Sequence, residues 1–100
     1  MKTAPFDVAD YLDSPEAIAA YLSEALATED AKYIARAIGT VARTAQGMTT
    51  IARETKLSRE SLYKSLGADG NPELKTVIKV LRAFGVQLVA KPAEKHMEPA

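Results

Sequence analysis

The stretch Met48 to Leu66, MTTIARETKLSRESLYKSL, constrains this chain more than any other. It reads as two short helices joined by a tight turn. Ile51, Ala52 and Leu57 face inward from the first helix and the turn, and Leu62 and Leu66 recur at i, i+4 on the second helix. Ala52 is small enough to let two helices cross closely. Ser58 follows the turn, where its hydroxyl can cap the second helix. Lys56 stands at the turn position that glycine usually fills, and a left-handed backbone there costs a lysine roughly 1 kcal/mol. The face this helix leaves to solvent carries Arg59, Glu60, Tyr63 and Lys64. This is the pattern of a helix-turn-helix, whose second helix enters the DNA major groove. The plainer alternative is a two-helix corner in any small α domain.

One hundred residues make one domain, or one domain with tails. A chain of this size buries about 60–68% of its unfolded surface, enough for one modest core. The chain has no cysteine, and its single histidine, His96, lies in a polar tail. That excludes a disulfide framework, a thiolate metal site and a histidine-based triad in an ordinary fold. No phosphate-cradling glycine loop is present. An enzyme, a cofactor, a metal and a small-molecule substrate are therefore not expected. No apolar run approaches the roughly 20 residues that span a membrane, and acids follow the first six residues at once, unlike a secretory signal. The expectation is a soluble cytoplasmic protein.

The formal net charge is zero, but it is unevenly spread. Residues 1–30 carry Lys2 against Asp7, Asp10, Asp13, Glu16, Glu24, Glu29 and Asp30, a net −6. Residues 31–66 carry Lys32, Arg36, Arg43, Arg53, Lys56, Arg59 and Lys64 against Glu54 and Glu60, a net +5. A molecule polarised in this way can hold DNA with one end and a basic protein with the other. The alternative is a set of ordinary solvated faces.

Along the chain, Asp7 can cap one helical turn with Phe6 packed back as a staple, or the segment is extended. Ser14-Pro15-Glu16 predicts a helix start, and the helix runs to about Ala27 with Ile18, Tyr21, Leu22, Ala25 and Leu26 as its apolar stripe. Thr28-Glu29-Asp30 breaks it and begins another, to about Thr44, with Ile34, Ile38, Val41 and Ala45 inward. Gly39 in its middle is either a close-contact point or an incidental surface glycine. Gln46-Gly47 ends this helix. After the helix-turn-helix, Gly67 to Pro72 is a loop. Asn71 is expected to cap a last helix with Pro72 at its first position, spanning about Glu73 to Phe84 with Leu74, Val77, Ile78, Leu81 and Phe84 inward. Gly85 stops it. Val86 to Lys91 then alternates as a strand with Val86, Leu88 and Ala90 on one face. A lone strand is unstable, so it either pairs with the same strand of a second copy or packs as an extended tail on its own core.

Several strings now resemble a known family. They are Phe6-Asp7 with Tyr11-Leu12, Ala42-Arg43 through Gly47-Met48-Thr49, Ile51-Ala52, Leu57-Ser58-Arg59-Glu60-Ser61-Leu62-Tyr63-Lys64-Ser65-Leu66, Asp69-Gly70-Asn71-Pro72, and Leu81 with Phe84-Gly85. The chain resembles, over roughly Phe6 to Lys91, the addiction-module antidote family, the HigA-like antitoxins with a lambda-repressor-type (Xre-like) helix-turn-helix. The resemblance implies an all-α, five-helix lambda-repressor-like bundle with a short C-terminal β-strand, acting as a homodimer. Such antitoxins silence a small basic toxin of the RelE/HigB-like mRNA-cleaving kind and bind the operator of their own operon. From charge and composition, residues 1–46 are expected to be an acidic N-terminal helical segment of the same domain and a candidate toxin contact, residues 47–91 the helix-turn-helix core, last helix and dimerisation strand, and residues 92–100 a disordered tail that has no part in the resemblance.

In repressor-like folds the residues just after the cap of the second helix reach base edges. Here these are Arg59 and Glu60, with Lys64 one turn on. Glu60 alternatively serves the helix dipole as a first-turn acid. Phosphates would be held by Thr49, Thr50, Ser58 and Ser61, by Asn71 at the following helix, and by Arg53 and Lys56. Thr50 and Ser61 have alternative roles within their own helices. Tyr63 either packs on the sugar-phosphate backbone or forms a half-buried core edge. Phe6, Asp7, Asp10, Tyr11 and Leu12 are the candidate toxin contacts, although the three apolar ones equally suit this domain's own core. Val86, Leu88 and Ala90 are the candidate dimer contacts. A free-standing helix-turn-helix regulator without a toxin, and a protein-only adaptor, are the rival readings.

Overall fold

Two side chains, Ser14 and Asp30, set where the first helices begin. In the computed structural model, which describes residues 12–93, Ser14 Oγ accepts a hydrogen bond from the Ala17 N–H at 3.1 Å. Pro15 opens α1 (Pro15–Ala27), where its missing N–H leaves nothing unsatisfied. The helix closes when Thr28 Oγ1 donates to the Ala25 carbonyl at 2.6 Å and accepts from the Asp30 N–H at 3.1 Å. Asp30 Oδ1 then accepts from the N–H groups of Lys32 and Tyr33 and starts α2 (Ala31–Val41).

α2 is shorter than its apolar pattern predicts. The α-helix stops at Val41 and widens into a π-helical turn over Ala42–Gln46, closed by Gly47 N–H donating to the Ala42 carbonyl at 2.7 Å. Two threonine hydroxyls bond back to carbonyls four residues earlier, Thr40 to Arg36 and Thr44 to Thr40, and such back-bonding bends helices. Gly47, at φ 88°, turns the chain into α3 (Met48–Thr55). Gln46 Nε2 donates to the Ala83 carbonyl at 3.0 Å, which ties the π turn to the far end of the chain.

Lys56 adopts φ 63°, ψ 30°, the left-handed conformation the turn requires. Ser58 Oγ accepts from the Ser61 N–H at 3.0 Å and caps α4 (Arg59–Ser65). The last helix, α5 (Leu74–Phe84), starts later than its sequence predicts: Glu73 precedes it, with no side-chain cap bond, and neither Asn71 nor Pro72 is helical. The loop folds back on α4 so closely that a side chain at Gly70 would meet the backbone of Ser65, and residues 71–73 belong to no regular element, with Glu73 extended. Gly85, at φ 86°, ends α5 with Val86 N–H bonded to the Leu81 carbonyl at 3.0 Å, a glycine stop of the Schellman type.

One core joins all five helices. Leu12, Ile18, Leu22 and Ala25 meet Ile38, Val41, Met48, Ile51, Leu62, Leu66, Val80, Leu81 and Phe84. Two expected core residues are not in it. Leu74 is 67% and Ile78 42% exposed, because the buried stripe of α5 runs through Val77, Val80, Leu81 and Phe84 and leaves both at its edge. Leu26 likewise lies at the edge of the α1 stripe and is exposed. Gly39 is buried where α2 meets the end of α4: a Cβ there would lie 2.6 Å from the Leu66 carbonyl oxygen.

The expected C-terminal strand is absent: among the described residues none is in a β-ladder. A single chain offers this segment no partner strand. Val86 packs on the core, and residues 86–89 line a shallow cavity together with Ala19, Leu22, Leu26 and Leu81. Leu88, Val89 and Ala90 stay exposed. The turn expected at Asp7 and the tail beyond residue 93 lie outside the described residues.

Two stability measurements check this packing. Gly39→Ala forces α2 and α4 apart and costs about 1–3 kcal/mol in chemical denaturation. Lys56→Gly removes the left-handed penalty and stabilises by about 1 kcal/mol.

Candidate nucleic-acid interface

α4 has seven residues, too few to be helical alone. Tertiary packing and its cap hold it. Leu62 and Leu66 are buried beside Ile51, so the opposite side of the helix must face water. Glu60, Ser61 and Lys64 are exposed there, and Arg59 in the first turn and Tyr63 on the flank are exposed beside them. The Arg59 guanidinium carbon sits 5.9 Å from the centre of the Tyr63 ring, one turn on. That is within cation–π range and holds both groups over one patch. Tyr63 is 45% exposed, so it lies on the surface with its ring open on one side.

The first turn of α3 offers a second kind of contact. Gly47 gives no side-chain cap, and the leading N–H groups of a helix then need an outside partner. Thr49 is exposed and Thr50 half-buried in that turn. Arg53, Lys56 and Ser58 are exposed on the following turns, as is Asn71 in the loop after α4. Among the described residues the one ion pair is Lys75 with Glu73, at 3.9 Å and on the surface. Among the described residues the cations of α3 and α4 thus have no acid committed to them.

The chain matches, over residues 2–92, a family model described as a probable addiction module antidote protein. The chain belongs to this family. It is also 46% identical over 82 residues to an uncharacterized protein of Haemophilus influenzae, a match covering 82% of this chain and 84% of that one. No solved structure matches it. An addiction-module antidote has a toxin as its partner and is not an enzyme.

The residues that the sequence offers as candidate toxin contacts are only partly described. Phe6, Asp7, Asp10 and Tyr11 lie outside the described residues. Leu12 is 3% exposed within the core, so it takes the core role and is not free as an anchor; the reason is that it packs as the chain enters α1. Asp13, Glu16, Glu24, Glu29 and Asp30 are exposed. Of the expected dimer residues, Val86 is half-buried against the core, while Leu88 and Ala90 are exposed. Sequence reasoning missed the Arg59–Tyr63 pairing, although the i, i+4 spacing carried the signal. No described helix is long and apolar enough to cross a membrane.

Removing the cap tests how α4 is held: Ser58→Ala lowers stability by about 1 kcal/mol, measured by urea denaturation, and weakens any activity that depends on the helix being preformed.

Proposed function

We propose that this antidote is a DNA-binding antitoxin that silences a RelE/HigB-like mRNA-cleaving toxin and represses its own operon by binding a palindromic operator as a homodimer. One observation carries the DNA half: α4 presents Arg59, Glu60 and Lys64 exposed and with no ion-pair partner among the described residues, directly after a capped N-terminus. Arg59 donates two bonds to a guanine and Glu60 accepts from a cytosine, while Lys64 serves either a base or a phosphate. Thr49, Thr50, Arg53, Lys56, Ser58, Ser61, Tyr63 and Asn71 position the helix on the backbone.

One seven-residue helix spans about 10 Å and reads few base pairs. Two of them, about 34 Å apart on one face of the duplex, read a palindrome. The extended C-terminal segment supports a dimer. Among the described residues the backbone of Leu88, Val89, Ala90 and Lys91 makes no hydrogen bond, and Val89 is 74% exposed. Pairing this open edge with the same edge of a second copy satisfies both and makes the strand the sequence predicts. The toxin half rests on the family and on the acids of α1, which face a basic partner by charge complementarity.

The test is co-purification with the product of the adjacent gene, followed by titration of upstream DNA. A stable complex and a footprint with twofold symmetry are expected. A monomer that still protects a full palindrome contradicts the dimer. Arg59→Ala relaxes preference at one position per half-site and costs about 1–3 kcal/mol on the cognate sequence; an unchanged footprint removes its base-reading role. Leu88→Lys should shift sedimentation toward the monomer and weaken operator binding together.

A further inference from the structure

Between Ala31 and Arg53 the chain carries Lys32, Arg36, Arg43 and Arg53 and no acid at all. The assignments above use only Arg53. The other three share one side of α2 and its π turn, within about 40° of one another around the axis, and all are exposed. None has an ion-pair partner among the described residues. The stripe is not isolated from α4. Gly39 lies on the same side, pressed against Leu66, and an Arg43 guanidinium nitrogen is 3.2 Å from the position a Gly39 Cβ would take. Arg36 precedes that contact and Arg43 follows it, so the two cations flank the place where α4 ends. Lys64 stands in the last turn of α4 itself.

We propose that Lys32, Arg36 and Arg43 form a second phosphate-binding element, which holds the DNA backbone flanking the bases read by α4. This rests on the DNA-binding reading above and extends it to residues outside the helix-turn-helix. The carbonyl end of a helix is its negative pole. A backbone strand passing the end of α4 meets that pole unless cations stand between, and the Arg43 guanidinium lies beside the Gly39–Leu66 contact, with Arg36 on the same side of α2. From Lys32 to Arg43 the stripe is about 16 Å long, enough to follow more than one phosphate. These contacts carry no base information, so they add affinity and register without adding sequence preference.

The experiment titrates an operator duplex with the wild-type protein and with Lys32→Gln/Arg36→Gln and Lys32→Gln/Arg36→Gln/Arg43→Gln variants from 50 to 200 mM salt. A trimmed duplex lacking the flanking base pairs is run beside it. The double variant leaves the side chain beside Gly39 intact, and thermal melts monitor folding. The slope of log affinity against log salt should become shallower by about 0.9 for each phosphate contact removed. The ratio of operator to scrambled-sequence affinity should stay within about threefold, unlike that of Arg59→Ala, and trimming should weaken the wild type but not the triple variant. An unchanged slope with operator binding intact overturns the proposal and leaves the α4 reading standing. A lowered melting temperature with an unchanged slope assigns the cations to the α4 dipole and also overturns it. Lost toxin co-purification with an unchanged slope moves the stripe to a protein interface, again against the proposal. Failure of the wild type to bind upstream DNA overturns the DNA reading and this inference together.

Discussion

The burial of Leu62 and Leu66 against Ile51 and Gly39 is the constraint on which the rest of this structure depends. A seven-residue helix has no stability of its own, so its orientation is whatever its two leucines dictate. They lie four residues apart, which places both on one side and turns Glu60 and Lys64 to water on the other, with Arg59 exposed in the first turn and Tyr63 exposed on the flank. Gly39 sets the depth of the contact, because a Cβ there would lie 2.6 Å from the Leu66 carbonyl oxygen. The outward face of α4 is therefore a consequence of core packing.

Rigidity on the inner side lets the outer side work. A surface that reads base edges must be ordered before it meets them, or ordering costs affinity at the moment of binding. The Ser58 cap, the left-handed Lys56 and the Arg59–Tyr63 contact each order this region locally. The π turn adds a longer link, since Gln46 anchors the entry to α3 on the carbonyl of Ala83 in α5.

Much of this was legible in the chain because it depends on neighbours in sequence. The caps at Ser14 and Ser58, the stop at Gly85, the left-handed Lys56 and the inward Leu62 and Leu66 are all decided within a few residues. The parts that escaped depend on distant ones. The π turn needs the pull of Ala83 on Gln46, thirty-seven residues away. The late start of α5 follows from how the Gly70 loop closes on α4, which Asn71-Pro72 alone does not reveal. Leu74 and Ile78 fit an apolar stripe by spacing, but no helix covers them. Leu12 had two roles open to it, and only the assembled core decides for the inward one. The C-terminal segment alternates like a strand, yet a ladder needs a partner that one chain cannot supply to itself.

The charge layout gives the fold its polarity. Exposed acids line α1 while α2 to α4 carry mostly cations, and among the described residues almost none of them neutralise one another. The most direct test of the outward face of α4 is an NMR titration of isotope-labelled protein with DNA from upstream of its own gene. Amide shifts concentrated at residues 49–50 and 58–64, with Leu62 and Leu66 keeping slow exchange, is the outcome this account predicts. Shifts that leave 58–64 untouched while appearing elsewhere contradict it.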